Sequence, residues 1–361
     1  MMPRTLSILL AGSAVVALGA CGQPGDKATA DHAGQTLPAA RTAQPDADMQ
    51  AVLDAHAALG AKPIESLSVD EVRSGPTLAD AVMKVMEARG MPTAPDATVT
   101  TQNLTYPTGG GTQPVRVYKP AGVPANAPVV VYFHGGGWVI SDLDVYDSTP
   151  RAMAKALNAI VVSVEYRKGP ENKFPAAHED ANAAYQWVLA NAASWGGNPA
   201  EIALAGESAG GNLAMNVAIA ARDNNWARPK AILAVYPIAD ANPALASKRE
   251  NTQSLPLRTP TLLWFGNNAL RSPADMTDPR YNLVAANLSN LPPVTIVNAQ
   301  IDPLRSDGET LMQALEKAGV PVERRVYDGA VHEFFSMASV VAKAKEAQDW
   351  SFGRLRSALS M

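Results

Sequence analysis

The segment Gly206-Glu-Ser208-Ala-Gly210 places a serine between two glycines. This G-x-S-x-G pattern is typical of a nucleophile on a sharp turn between a strand and a helix. The apolar residues 202–205 before it predict the strand, and the residues after it are compatible with a helix. Glycines are needed there because the strained turn has no room for side chains. We therefore predict that Ser208 is a nucleophile for acyl transfer.

A second glycine-rich segment, His134-Gly-Gly-Gly-Trp138, follows the apolar run 128–133. Glycines after a strand leave backbone N–H groups uncovered, and such donors stabilise the negative charge that builds on a carbonyl oxygen under attack. A phosphate loop would need the pattern G-x-x-x-x-G-K-[ST], which is absent from this segment. The residues predicted to form the oxyanion site are Gly135, Gly136, Gly137 and Ala209.

A serine nucleophile also needs a base. His332 lies just past the predicted strand 322–327, in a loop after a late strand, and we predict that it is this base. His32 lies in the predicted N-terminal tether, and His56 is assigned to ordinary packing or to the surface. His134 is assigned a structural place in the glycine loop, and His178 is assigned to the surface or to a helix terminus.

The acid that orients the base is predicted to be Asp302, which follows the predicted strand 294–297. The chain order Ser208, Asp302, His332 is the order known for a triad built around this serine motif. Asp307 is the rival acid, but its position suggests a cap at the start of the next helix.

The elements that must position these residues alternate between strand and helix patterns from about residue 100 onward. Such alternation predicts a mostly parallel sheet with helices on both faces. The predicted strands are 115–118, 128–133, 159–164, 202–205, 231–236, 294–297 and 322–327. The predicted helices are 149–157, 176–193, 209–222, 307–318 and 342–359.

Two further regions complete the predicted organisation. Residues 46–99 carry apolar residues at helical spacing in two stretches, separated by Pro63 and by 66–70, and are predicted to form a helical cap. Residues 100–361 are predicted to form the catalytic domain. Within it, 242–286 breaks the alternation with several prolines and the apolar patch 262–265, which indicates an insertion that contributes to the cap.

The N-terminus is predicted to be a lipoprotein signal peptide over residues 1–20. Arg4 precedes an apolar run at 6–18, which is shorter than the roughly 20 residues that span a bilayer. Small residues then precede Cys21, the only cysteine, which we predict to be lipidated. The alternative is an ordinary secretory signal with an incidental cysteine. Residues 21–45 are predicted to be a flexible tether.

These features predict a protein exported to the bacterial cell envelope and held there by lipid. Gly22 after the cysteine favours the outer membrane if the source is Gram-negative. We expect the anchor to be the only contact with the membrane.

Composition excludes several other classes. The 361 residues are 47% hydrophobic and 18% charged, as in a globular protein, and the net charge of −4 argues against nucleic-acid binding. One cysteine allows neither an internal disulfide nor a Cys/His zinc cluster. The sequence has no H-E-x-x-H, and no G-x-G-x-x-G follows a strand, so we predict no metal and no cofactor.

Taken together, these motifs resemble the bacterial hormone-sensitive-lipase-like esterases of the α/β-hydrolase superfamily, over roughly residues 48–358. The motifs that carry the resemblance are 134–144, Glu165-Tyr-Arg167 with Pro170-Glu171, 174–177, 206–213, 302–305 and His332. Two places depart from the family pattern. Lys168-Gly169 stands where Leu-Ala is usual, and Ser306 replaces an acidic residue.

The resemblance implies an α/β-hydrolase fold with a small N-terminal helical cap that shapes the acyl pocket. It implies a triad of Ser208, Asp302 and His332. It also implies oxyanion donors at Gly136, Gly137 and Ala209, with Gly135 shaping the loop.

We therefore expect a serine carboxylesterase that hydrolyses short- to medium-chain acyl esters of small molecules through an acyl-enzyme. An amidase or formamidase, or a carbohydrate deacetylase with the same triad, is the alternative. A catalytically silent ligand-binding member of the fold is a further alternative, although such proteins usually lose a triad residue. The sequence makes no prediction about the oligomeric state.

Overall fold

An eight-stranded sheet lies at the centre of the computed structural model, which describes residues 43–359. The strand order is β1-β2-β4-β3-β5-β6-β7-β8. β1 pairs with β2, and β2 with β4, in antiparallel fashion, whereas the other neighbours are parallel. The strands are β1 (Val99–Thr108), β2 (Gly111–Pro120), β3 (Ala127–Phe133), β4 (Ile160–Val164), β5 (Gly197–Glu207), β6 (Ile232–Val235), β7 (Val294–Ile301) and β8 (Val322–Val331). The predicted α/β-hydrolase fold is confirmed.

Helices cover both faces of the sheet. Those in the described part are α1 (Ala47–Ala58), α2 (Val69–Ser74), α3 (Leu78–Ala88), α4 (Ser148–Leu157), α5 (Ala176–Asn191), α6 (Ala209–Asp223), α7 (Ala246–Glu250), α8 (Thr259–Ala269), α9 (Arg305–Lys317) and α10 (Ala342–Ala358). Short 3-10 segments lie at Ile64–Ser66, Ala192–Trp195, Pro273–Thr277, Leu283–Ala285 and Phe334–Met337. None of the helices within residues 43–359 combines the length and apolarity needed to cross a bilayer.

Strand β3 shows how the sequence produces two cores. Its side chains alternate between the faces, so Val129 and Val131 join one apolar cluster while Val130 and Tyr132 join the other. The first cluster is closed by α5, α6 and α9, and the second by α1, α3, α4 and α10. Burial on both faces explains why this strand is a continuous apolar run.

Strand β1 was not predicted. Most of its side chains are exposed or only partly buried, so it lacks the apolar run that marks the inner strands. It pairs with β2 across a tight connection in which Thr108 faces Gly111. An edge hairpin of this kind needs few buried side chains because only one of its strands continues the sheet.

The predicted cap, residues 46–99, contains one more helix than expected. Helix α2 overlaps the stretch 66–70 that the sequence analysis assigned to a break between two helices. Ser68 explains the difference, since its hydroxyl accepts from the Glu71 N–H at 3.3 Å and its own N–H donates to the Glu71 carboxylate at 2.8 Å. This capping box starts a helix with no apolar periodicity.

The predicted signal peptide 1–20, Cys21 and most of the predicted tether 21–45 lie outside the described residues. The division into residues 46–99 and 100–361 stays a prediction.

Candidate active site

Ser208 lies between the end of β5 and the start of α6, in a backbone conformation that few side chains adopt. Its φ is 55° and its ψ is −116°. The Ser208 N–H donates to the Val235 carbonyl at 2.8 Å, which holds this strained turn against β6. A Cβ at Gly206 would overlap the Gly210 carbonyl, and one at Gly210 would overlap the Phe133 carbonyl. The two glycines are therefore required by close packing of the turn.

Three side chains predicted from separate loops meet at this turn. His332 Nε2 lies 3.0 Å from the Ser208 hydroxyl, and His332 Nδ1 lies 2.8 Å from an Asp302 carboxylate oxygen. The second Asp302 oxygen accepts from the Leu304 N–H at 2.8 Å. Because Nδ1 donates to the carboxylate, Nε2 is left as the acceptor for the serine proton. All three side chains are buried.

The electrostatics of His332 follow from this arrangement. Burial disfavours its charged form, but the carboxylate of Asp302 attracts the imidazolium and accepts its hydrogen bond. Glu333 and Glu207 add negative charge nearby, and the net result is a His332 pKa raised above its ordinary value of 6.5. A more basic imidazole is a stronger acceptor for the hydroxyl proton of Ser208.

The glycine loop after β3 borders the same cavity as Ser208 and His332. Gly136 and Gly137 have φ values of 96° and 58°, which favour glycine. Within residues 43–359, no protein group accepts a hydrogen bond from the N–H of Gly136, Gly137 or Ala209. Ala209 is also the first residue of α6, where the helix dipole favours negative charge. These N–H groups are available to an oxyanion.

Gly135 shapes the loop by close packing. A Cβ there would overlap the hydroxyl of Tyr146. Its carbonyl accepts from the Tyr166 hydroxyl at 3.1 Å, and that hydroxyl also donates to the His134 carbonyl at 2.9 Å. The Tyr166 hydroxyl therefore holds the loop, and the ring of His134 stacks on the ring of Tyr166 with their centroids 4.4 Å apart.

His134 forms a second histidine–carboxylate pair in the molecule. Its Nε2 lies 3.2 Å from Glu165, whose carboxylate is also 2.9 Å from the Lys168 ammonium. Burial raises the pKa of Glu165, but the charges of His134 and Lys168 outweigh it and lower that pKa to about 2. Within the described residues this pair bonds no serine hydroxyl, and its hydrogen bonds hold the loop.

Glu207, beside the serine, forms a buried polar cluster that the sequence analysis did not predict. It accepts from the Tyr132 hydroxyl at 2.6 Å and from the Tyr236 hydroxyl at 2.5 Å. Burial raises its pKa to about 7. The Tyr236 ring lies 4.5 Å from the ring of His332, so this cluster packs against the imidazole. The only sequence signal was a carboxylate inside the serine motif.

One secondary expectation holds in only one of its alternatives, and another is wrong. His178, expected at the surface or at a helix terminus, lies in the first turn of α5. It is buried, bonds the Asn212 side chain at 3.0 Å, and has a pKa lowered to about 4 by burial. Asp307 does not cap its helix. Its carboxylate faces Lys248 at 3.0 Å and accepts from the N–H groups of Ala239 and Asp240 at 3.2 and 3.1 Å.

The cavity over Ser208 has a volume of about 640 Å³. The predicted cap 46–99 contributes one wall, which also carries the charged residues Lys62, Glu71 and Arg73, and the insertion 242–286 contributes an apolar wall. Apolar side chains from these two regions include Ile64, Leu67, Leu78, Leu257, Leu262 and Phe265. Phe265 lies directly over the glycine loop, since a Cβ at Gly137 would overlap its ring.

Comparisons with known proteins agree with this architecture. A family model described as "alpha/beta hydrolase fold" matches residues 130–336. "Carboxylesterase NlhH" of Mycobacterium tuberculosis is 42% identical over 250 residues, which cover 68% of this chain and 78% of that protein. The chain belongs to the hormone-sensitive-lipase-like esterase family of α/β-hydrolases.

Other family members support the same assignment. "Esterase LipI" of Mycobacterium tuberculosis is 40% identical over 252 residues, covering 68% of this chain and 78% of its own. The hyperthermophilic esterase of Pyrobaculum calidifontis superposes with a TM-score of 0.74 at 33% identity, over 81% of this chain and 94% of that one.

The places where this esterase-family chain departs from the family pattern both have partners in the structure. The Lys168 ammonium donates to the Ser141 carbonyl at 2.5 Å in addition to its pairing with Glu165. The hydroxyls of Ser306 and Ser247 each accept a hydrogen bond from the other residue's N–H, at 3.2 and 3.0 Å. Lys168 therefore contacts the segment after the glycine loop, and Ser306 joins α7 to α9.

Proposed function

We propose that this chain is a serine carboxylesterase that hydrolyses short- to medium-chain acyl esters through an acyl-enzyme on Ser208. Membership of the family supports ester hydrolysis itself. The observation that carries the serine mechanism is the continuous hydrogen-bonded series from the Ser208 hydroxyl through His332 to Asp302, at 3.0 and 2.8 Å.

In the proposed reaction, His332 Nε2 accepts the Ser208 proton as the hydroxyl oxygen attacks the ester carbonyl. Asp302 keeps the Nδ1 proton in place and stabilises the imidazolium. The oxyanion accepts hydrogen bonds from the N–H groups of Gly136, Gly137 and Ala209. The imidazolium then gives its proton to the leaving alcohol, and a water activated by His332 hydrolyses the acyl-enzyme.

The acyl preference is proposed from the size of the cavity. A buried methylene contributes about 0.8 kcal/mol, so affinity rises with chain length only until the pocket is filled. A volume of about 640 Å³ is in the range of small-molecule sites. On a p-nitrophenyl ester series at equal monomeric concentration, kcat/KM is expected to be highest between about two and eight carbons. A maximum at about twelve carbons or more would reject the proposal and favour a lipase.

The mechanism is tested by labelling. A fluorophosphonate probe is expected to modify Ser208 with loss of esterase activity, and peptide mass mapping identifies the residue. Ser208→Ala should remain folded, take no label and lose turnover by more than about 10⁴-fold. Ser336→Ala is the matched control because that serine lines the same cavity without contacting His332. Label on folded Ser208→Ala, or near-wild-type turnover by it, rejects the mechanism.

The same panel separates this function from its alternatives. Anilides and acetylated glycans are added beside the esters at equal concentration. Higher kcat/KM on an anilide or a glycan than on every ester would replace the esterase by an amidase or a deacetylase.

We also propose that the protein is exported and anchored by lipid on Cys21. The support is the sequence of residues 1–21, in which a short apolar run and small residues precede the single cysteine. Cys21→Ala is expected to lose labelling by a palmitate analogue and to leave the membrane fraction. Unchanged membrane association and unchanged labelling of this variant would refute the anchor.

A further inference from the structure

Arg73, on the short helix α2, reaches from the cap to the main chain beside the glycine loop. Its Nε donates to the Val139 carbonyl at 2.9 Å, and one terminal nitrogen donates to the Gly169 carbonyl at 2.7 Å. Val139 comes two residues after the last glycine of the loop, and Gly169 belongs to the segment after β4. One guanidinium thus bridges two chain segments that are distant in sequence.

These two carbonyls belong to residues that are already bonded to the loop. The Val139 N–H donates to the Gly136 carbonyl at 3.0 Å, and the Gly169 N–H donates to the Trp138 carbonyl at 2.8 Å. Each residue therefore contacts the loop through its N–H and Arg73 through its C=O. Since the N–H and the C=O of one residue belong to adjacent peptide units, a displacement of Arg73 is transmitted across the Cα of Val139 to Gly136 and across the Cα of Gly169 to Trp138.

Glu171 fixes the orientation of the guanidinium. Its two carboxylate oxygens lie 2.7 and 2.9 Å from the two terminal nitrogens of Arg73. This two-point pairing holds the planar fork so that Nε faces Val139, a geometry that a lysine does not reproduce. The hydrogen bonds from Arg73 lower the pKa of Glu171 to about 2, so the pair stays charged at neutral pH.

Other cap contacts end elsewhere. Glu65 binds Arg258 and Thr261 at 2.5 and 2.8 Å, both outside the glycine loop. Arg89, a second cap arginine, donates to the carbonyl of Val340 at 2.9 Å, also away from the loop. Arg89 therefore donates to a main-chain carbonyl as Arg73 does, but that carbonyl is not beside the glycine loop.

We propose that Arg73 is a positioning residue for ester hydrolysis, which couples the docked cap to the oxyanion donors by holding the Val139 and Gly169 carbonyls. The inference rests on the proposed function, because it assigns the loop N–H groups to the oxyanion. Arg73 borders the cavity over Ser208, but its guanidinium bonds Val139, Gly169 and Glu171 rather than Ser208 or His332. It acts by keeping Gly136 and Gly137 where the charge develops.

The first test is a kinetic comparison of Arg73→Ala with Arg89→Ala on a short p-nitrophenyl ester. Arg73→Ala is expected to lose about 10- to 100-fold in kcat, with KM changed less than about threefold. The reason is that displaced N–H groups of the glycine loop would stabilise the oxyanion less well, and this charge develops mainly in the transition state. Arg89→Ala is expected to keep its kcat. Arg73→Lys should recover only part of the loss, and Glu171→Gln should lose less than Arg73→Ala because an amide oxygen still accepts.

The second test uses a trifluoromethyl ketone, which adds to a serine and places an oxyanion in the site. If Arg73 positions the donors, Arg73→Ala should weaken this inhibitor by the same factor as kcat/KM. Thermal unfolding verifies that each variant is folded, and Arg73→Lys serves if Arg73→Ala does not fold. An unchanged kcat in either folded variant, a change in KM alone, or an equal loss in Arg89→Ala overturns the proposal. Fluorophosphonate labelling of Ser208 in the wild type separates this failure from a failure of the serine mechanism.

Discussion

At the carboxyl end of the sheet, main-chain groups hold two of the candidate catalytic residues, whereas long side chains make important contacts of the predicted cap 46–99. Ser208 is held by the Val235 carbonyl, and Asp302 by the Leu304 N–H. By contrast, Arg73 joins α2 to the loop, and the Trp264 indole joins α8 to the Leu67 carbonyl at 3.0 Å. The predicted cap also has a main-chain bond, from the Asp46 N–H to the Gly329 carbonyl at 3.0 Å.

The glycines show the same contrast. Gly210 cannot accept a Cβ because the Phe133 carbonyl occupies the space, whereas a Cβ at Gly266 in α8 would meet no atom within 4 Å. A substitution at Gly210 would therefore displace backbone, whereas one at Gly266 would extend into open space. The turn that holds the nucleophile needs such a rigid backbone, whereas a wall of the substrate cavity tolerates more change.

The largest expected effect among these predictions concerns Asp302. Asp302→Asn should lower kcat by about 10⁴-fold, because an amide no longer holds the Nδ1 proton of His332. Asp307→Asn is the matched control. Its carboxyl is equally buried but faces Lys248, so stability should fall while kcat changes less than about tenfold. A larger kcat loss in Asp307→Asn than in Asp302→Asn would reverse the assignment of the acid.

A matched pair of glycine substitutions tests the contrast directly. Gly136→Ala should lower kcat by about 10²- to 10³-fold, because φ is 96° there and a Cβ would overlap the Ile140 carbonyl. Gly266→Ala should leave kcat unchanged and stabilise the protein by up to about 1 kcal/mol, since alanine is the better helix former. Equal kcat values for the two variants, measured on the same ester, would contradict a rigid loop and a tolerant cap.

The pH dependence sharpens the description of the sheet end. His332 must be neutral to accept a proton, so kcat/KM should rise about tenfold per pH unit up to its pKa, which lies above 6.5. The same raised pKa contributes stability that is fully present below pH 6.5 and is lost as pH rises through the folded-state pKa. In Asp302→Asn the attraction is removed while burial remains, so the midpoint should move to lower pH. A pH-independent rate between about pH 5 and 8 would exclude His332 as the base.

The fold was predictable because the inner strands are apolar on both faces and are separated by helices. The strand ends could be located for the same reason, which is how Ser208, Asp302 and His332 were brought into one hypothesis. Strand β1 was missed because its side chains are mostly exposed. Residues at the ends of buried strands have a local sequence signal, and residues at a polar edge do not.

The cap contacts had no such signal. Arg73 lies in a polar helix of six residues, and nothing in its surroundings indicates that it reaches Val139. The partner of Asp307 was equally hidden, because Lys248 is distant in sequence and nothing near it marks a buried cation. Long side chains that bond across the fold depend on tertiary geometry, which one sequence without its relatives does not contain.

The smallest expected effect tests whether the cap communicates with the chemistry by routes other than Arg73. Trp264→Phe keeps an aromatic side chain but removes the pyrrole part of the indole, and with it the bond from the indole N–H to the Leu67 carbonyl. One hydrogen bond contributes about 1 kcal/mol, so Tm should fall by less than about 4 °C. Because α8 meets the loop through the Phe265 ring, which stays in place, kcat on a short ester should change less than about twofold. A kcat loss near that of Arg73→Ala would show that any loosening of the cap disturbs the oxyanion donors. The side chains of the cap would then act as one unit, and the contrast with the sheet end would be one of degree only.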